Sequence, residues 1–135
     1  MSQAENIVAI VLRHYPSAQA IYLFGSYATE DERGDSDVDI AILLPHSQSA
    51  ASLMLSDCRF ALEDALGRTV DLLSARSVAT VFQKEIVEHG RLLFCGDEDA
   101  KCEFEFMTLS LYQKLNEERR EILEDFALTG KAYNV

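Results

Sequence analysis

Positive charge is scarce in this chain. Its 12 lysines and arginines stand against 23 aspartates and glutamates, a formal net charge of −11 at pH 7. Binding along a nucleic-acid backbone is driven by cations that neutralise phosphates. No cluster of basic and aromatic residues makes up the deficit, so wrapping of a long duplex is excluded. An acidic surface suits instead a basic protein partner, whose encounter it steers. Long apolar runs are missing too: none approaches the roughly 20 residues that span a bilayer. Met1-Ser2-Gln3-Ala4-Glu5 lacks a basic start, so no secretory leader is expected. Cysteine is limited to Cys58, Cys95 and Cys102, odd in number and without Cys-x-x-Cys spacing. That argues against a disulfide framework or a zinc site and fits thiols of a reducing cytoplasm. Internal repeats and low-complexity linkers are absent, so residues 1–135 are read as one domain.

What is present is a succession of apolar segments with clear breaks. Ser2-x-x-Glu5 has the form of a capping box before Ile7, Val8, Ile10, Val11 and Leu12, which predicts a helix to about His14, closed by Pro16. His14 reads as a helix-end histidine. Strands are predicted at 20–24 and at 37–44, the second ended by Pro45. Between about 49 and 66, Leu53, Cys58, Ala61, Leu62, Ala65 and Leu66 recur at helical spacing, with Gly67 as the residue past the end. A short strand at 69–73 carries Asp71. Ser77 is expected to cap a helix that turns Val78, Val81, Phe82, Ile86 and Val87 inward and stops at Gly90. His89 falls in its last turn, where the helix dipole favours a cation. Residues 92–94 suit an edge strand.

One long helix is predicted from about 99 to 128. Its stripe is Phe104, Met107, Leu111, Leu115, Ile122 and Phe126, widened by Phe106, Leu109 and Tyr112. Such a stripe must be buried on its own domain, on a second copy or on a partner. The expected fold class is α/β (α+β): a small mixed sheet of about four strands flanked by helices, a core at about 5–95, and a C-terminal helical extension at about 99–128.

Chemistry concentrates between residues 20 and 42. The strand Ala20-Ile21-Tyr22-Leu23-Phe24 runs into Gly25-Ser26. Gly25 lets the chain turn and lets a ligand approach the backbone. Ser26 adds a hydroxyl beside backbone N–H groups, a setting that suits phosphate oxygens. Asp37 and Asp39 open the next strand two residues apart and so share a face. Two such carboxylates repel unless a cation lies between them, and hard oxygen ligands suit Mg²⁺. The plainer reading is a solvated acidic loop made by Asp35, Asp37 and Asp39. Arg76 and Arg91 can reach phosphates or lie on the surface; the sequence leaves both open.

Gly25-Ser26, ten residues, then Asp37-x-Asp39 resembles the nucleotidyltransferase superfamily of the DNA polymerase β type, and the chain's size makes it similar to a minimal nucleotidyltransferase, or MNT domain. The resemblance implies the nucleotidyltransferase fold and a third carboxylate on a neighbouring strand, which Asp71 matches in Thr69-Val70-Asp71-Leu72-Leu73. It implies that Asp37, Asp39 and Asp71 are catalytic and hold metal, two Mg²⁺ ions being expected. Gly25 and Ser26 would grip the β- and γ-phosphates, and Asp71 would serve as general base. Family members often carry arginine soon after Gly-Ser. Here Tyr27-Ala28-Thr29 and Glu30-Asp31-Glu32 follow, and Arg33 is the basic position that remains. Stand-alone domains of this kind resemble antitoxins of bacterial HEPN/MNT toxin–antitoxin pairs. That implies transfer of AMP from ATP to a tyrosine of a partner HEPN ribonuclease toxin, in a homodimer or a hetero-oligomer with it. The alternatives are a binding-only antitoxin with a vestigial site, nucleotidyl transfer to a small molecule such as an aminoglycoside, and a nucleotide sensor without turnover.

Overall fold

A computed structural model describes residues 3–24, 37–48 and 57–129, with side chains through residue 124 of the last helix. The element order is α1 (Gln3–His14), β1 (Ala20–Phe24), β2 (Val38–Leu43), α2 (Asp57–Leu66), β3 (Val70–Ser74), α3 (Thr80–His89), β4 (Arg91–Cys95) and α4 (Glu98–Thr129). The four strands form one mixed sheet in the order β3-β2-β1-β4. β1 is antiparallel to both its neighbours, while β2 and β3 run parallel. A parallel pair cannot be closed by a hairpin, and the segment that contains α2 makes the crossover.

Alternation along the strands divides the apolar runs between two layers. Ile21, Leu23, Val38, Ile40, Ile42, Val70 and Leu72 pack with Ile7, Ile10 and Val11 of α1 and with Cys58 and Leu62 of α2. Ala20, Tyr22, Phe24, Ala41 and Leu43 pack on the other face with Ile86 of α3 and Phe104 of α4. All five residues of β1 are buried, as befits a central strand covered on both sides. The Tyr22 hydroxyl donates to Glu105 Oε2 (3.1 Å), which ties β1 to α4. His14 Nδ1 lies 3.0 Å from Ile10 O, the helix-end position expected of it.

Several boundaries differ from the sequence expectation. β2 begins at Val38, so Asp37 stands just outside it. The proposed capping box rests on Ser2, and residues 49–56 would form the first part of the second helix; both lie outside the described residues. Ser77 does not cap α3. That helix starts at Thr80 after Ala79, with no side-chain cap. A tight turn claims Ser77 instead: its N–H donates to Ser74 O (3.0 Å), and its hydroxyl donates to Ser74 Oγ (3.4 Å). Val81 is 47% exposed. Five residues before Ile86, it lies about 140° around the helix from that buried side chain. β4 is the expected edge strand, with an irregularity where it passes Ile21 and Tyr22.

α4 is one uninterrupted helix of 32 residues, about 48 Å at the α-helical rise. The strands it crosses have five or six residues, about 20 Å at most. It therefore outruns the sheet. Phe104 and Thr108 are buried, and Tyr112 and Leu115 are half-buried. Every described side chain from Asn116 onward is exposed. Of the expected stripe, Met107, Leu111 and Ile122 are exposed, as are Phe106 and Leu109; the side chain of Phe126 lies outside the described residues. No helix among the described residues is long and apolar enough to cross a membrane.

Gly67 ends α2 at φ +66°, and a Cβ there would meet nothing within 4 Å. The N–H of Gly67 donates to Glu63 O (2.8 Å). The cost of a side chain is then the left-handed backbone alone. Gly67→Ala should lower stability by about 1 kcal/mol and Gly67→Asn by less, as read by urea denaturation.

Candidate active site

The four strands bring one end of each element to a common edge. Phe24, the last residue of β1, pairs with Asp39. Asp39 pairs in turn with Asp71 across the parallel β2–β3 ladder. Side chains two apart on a strand share a face, so Asp39 lies on the face of Ala41 and Leu43, and Asp71 on the face of Leu73. That is the face covered by α3 and α4. Phe82 of α3 meets the Phe24 ring edge-on at 5.4 Å between centroids, placing apolar bulk beside the acids.

The consequence is electrostatic. The Asp39 carboxyl is pushed up from its ordinary 3.8 to about 6. Burial contributes most, followed by a hydrogen bond with Asp71 and by the negative charges of Asp71 and Asp37. Asp39 and Asp71 are half-buried and in contact, while Asp37 is exposed and acts on Asp39 through its charge. The structure thus gathers the three predicted acids at one end of the sheet, with two of them touching. Among the described residues no group of three or more His, Cys, Asp or Glu is arranged as a ready set of metal ligands. What is present is a pair of hard oxygen donors in contact, whose mutual charge helps to push the Asp39 carboxyl up, a repulsion of the kind that Mg²⁺ relieves. On that ground the pair fits a divalent metal.

Gly25, Ser26 and Arg33 lie outside the described residues. Arg76, left open by the sequence, is at the opposite end of the sheet. Its Nε donates to Leu44 O (2.7 Å) and an Nη to Gln19 Oε1 (2.8 Å), and the other Nη lies 3.1 Å from His46 Nε2. It ties the starts and ends of strands together there, beside a cavity of about 280 Å³. Arg91 is exposed and pairs with Leu23, at the same end as the acids. His89 is exposed and faces Glu85 (3.7 Å) and Glu88 (3.9 Å) on its own helix. The three cysteines are free thiols.

Sequence reasoning passed over one pair that touches this end of the sheet. Arg59 and Glu63, one turn apart on α2, both bond to the backbone of Val70, the residue before Asp71. Their only signal in the sequence is i,i+4 spacing of opposite charges, which most helices carry on their solvated face.

A family model described as Polymerase beta, Nucleotidyltransferase matches residues 5–99, which takes in all four strands and the three acids. The protein adenylyltransferase MntA of Shewanella oneidensis is 35% identical over 122 residues, 90% of this chain and 86% of that protein. A crystal structure of a toxin–antitoxin with AMP-PNP contains a chain that superposes with a TM-score of 0.71 at 34% identity, covering 92% of this chain and 98% of its own. A structure of tri-AMPylated Shewanella oneidensis HEPN toxin in complex with MNT antitoxin gives 0.66 at 32% identity, covering 93% and 96%.

The raised Asp39 carboxyl has a signature in stability. The folded chain holds this proton more tightly than the unfolded chain does, so folding is favoured by protonation. The metal-free protein should lose stability as pH rises from about 4 to about 6 and then level off. Asp39→Asn should flatten that part of the profile, and Mg²⁺ should restore the wild type's stability above pH 6. Thermal denaturation with EDTA or with Mg²⁺ across pH 4–7.5, comparing wild type with the variant, measures this.

Proposed function

The chain belongs to the Polymerase beta, Nucleotidyltransferase family, and from that premise we propose that it is a Mg²⁺-dependent protein adenylyltransferase. In this reading it is the antitoxin of a HEPN/MNT pair and moves AMP from ATP to a tyrosine hydroxyl of its partner toxin. The observation that carries the reading is the Asp39–Asp71 contact at the end of the sheet, in a chain similar over nine-tenths of its length to a protein adenylyltransferase. The solved relatives with AMP-PNP and with an AMPylated toxin support ATP as donor and a HEPN toxin as acceptor.

In the reaction the acceptor oxygen attacks the α-phosphorus in line. The bond from that phosphorus to the oxygen bridging to the β-phosphate breaks, and pyrophosphate leaves with the electron pair. Asp71 takes the hydroxyl proton. Asp37 and Asp39 lie beside it on β2 and its approach, where they would hold the metal ion that carries the triphosphate. Gly25 and Ser26 hold the β- and γ-phosphates, with Arg33 as a further cation. Two Mg²⁺ ions held by Asp37, Asp39 and Asp71 would supply charge neutralisation at the phosphates and ease ionisation of the hydroxyl. Catalysis of this kind is mainly positioning and charge stabilisation, which accounts for so few chemical groups sufficing. The three free thiols accord with a cytoplasmic setting.

Purified chain incubated with Mg²⁺ and α-labelled ATP, with and without the product of the adjacent gene, tests the proposal. The toxin should gain AMP on tyrosine, read by mass spectrometry. Asp39→Ala should cut transfer by about a hundredfold or more, the scale of losing one group that stabilises transition-state charge. Should Asp39→Ala neutralise the toxin as well as the wild type does, with no label on either, transfer is refuted and inhibition by binding takes its place.

A further inference from the structure

Among the described residues strand β3 is an edge of the sheet, with a neighbour on one side only. In its parallel ladder with β2, Val38 pairs with Val70, and the Val38 N–H donates to Thr69 O (2.9 Å). In such a ladder the groups of residues 69 and 71 serve β2, while the N–H and C=O of Val70 point to the open side. An open edge leaves such groups to water or to a stray strand.

Here α2 answers them. Arg59 Nε donates to Val70 O (2.9 Å), and the Val70 N–H donates to Glu63 Oε2 (3.0 Å). An Arg59 Nη closes the ring on Glu63 Oε2 (3.4 Å). One donor and one acceptor from a helix thus replace the two bonds a fifth strand would make. Both side chains are half-buried, and the Phe60 ring lies 5.5 Å from the guanidinium carbon. The helix is anchored beneath them by Cys58 and Leu62, which are buried in the core layer. The clamp therefore has a rigid base and grips the backbone one residue before Asp71.

We infer that Arg59 and Glu63 are positioning residues: by holding Val70 from the open edge they fix the backbone of Asp71, and with it the distance between the Asp71 and Asp39 carboxylates. This rests on the reading of those acids given under Proposed function. A freely fraying edge strand would let Asp71 swing away from Asp39, whose own strand is held on both sides. Charge-assisted hydrogen bonds from a guanidinium and to a carboxylate are stronger than neutral ones, which suits a pair that has to restrain backbone at a strand end.

The test uses the full chain and Mn²⁺ alone, its binding followed by electron paramagnetic resonance without nucleotide. Arg59→Ala and Glu63→Ala should raise the Mn²⁺ Kd by about 10- to 100-fold, the scale on which groups behind a metal ligand act, with the number of sites per chain unchanged. Glu63→Gln, whose amide oxygen still accepts from Val70 N–H, should recover most of the affinity. Arg59→Lys should not, since an ammonium lacks the fork that serves both Val70 O and Glu63. Transfer of AMP to the toxin should fall in parallel with affinity. An unchanged Kd with fewer sites per chain would mean that the pair only stabilises the fold, and would overturn the inference. Glu63→Gln failing as Glu63→Ala does would overturn it too. Asp71→Asn separates the two levels. If it abolishes transfer while both alanine variants keep wild-type affinity and rate, the clamp alone is refuted. If Asp71→Asn itself transfers AMP at the wild-type rate, the reading of the acids falls and the clamp's role falls with it.

Discussion

Parallel pairing of β2 with β3, in the register that sets Asp39 against Asp71, is the constraint on which the site depends. Two carboxylates are not neighbours by preference. They are held together because the apolar residues between and beyond them admit no other register. Val38, Ile40, Val70 and Leu72 are all fully buried on the face opposite the acids. A slip of β3 by one residue would turn Val70 and Leu72 toward the other layer and present Asp71 to α1 and α2. Burial of several large side chains, each contributing about 1.5–3 kcal/mol, outweighs the repulsion between two half-solvated charges. The core thus supplies the stability that the acid pair gives up.

The two layers share this task unequally. On the face of α1 and α2 the packing is dense and continuous, and it sets register. On the face of α3 and α4, Ile86 and Phe104 pack on the rings of Tyr22 and Phe24 that the sheet presents. The acids lie at the margin of this second layer, half-buried or exposed. Arg76 closes the far end through Leu44, Gln19 and His46. One end of the sheet is therefore bound by a structural cation, and the other gathers the three acids, with Arg91 at the same end.

Much of this was legible in the residues. Ala20–Phe24 and the run after Asp37 announce themselves as buried strands by content and length, and Gly67 marks its helix end by the conformation that glycine alone takes freely. Asp37 and Asp39 are legible because their spacing places both on one face, whereas Asp71 is legible only through the resemblance, which implies a third acid on a neighbouring strand. Ser77 misled because a serine before a helix also suits a tight turn, and the choice depends on what Ser74 does. Val81 misled because apolar identity does not tell which side of a short helix is inward. Arg59 and Glu63 were invisible in their function because their partner is backbone, which every sequence has everywhere. The overhang of α4 could not be read from its stripe: apolar residues continue at helical spacing past the point where the sheet beneath them stops.

Cys58 stands next to Arg59 in sequence but on the opposite errand, turned into the core under α2. Burial pushes its thiol up to about 11. At neutral pH it is therefore held in the unreactive thiol form and out of reach, whereas Cys102 is exposed on α4. The two thiols differ in what has to happen before a reagent can reach them. Modification of Cys102 reports only the surface. Modification of Cys58 requires its turn of α2 to leave the core layer, beside the residue that bonds Val70 O. The chain thus carries, one residue from Arg59, a chemical clock for how often α2 comes away from its core layer.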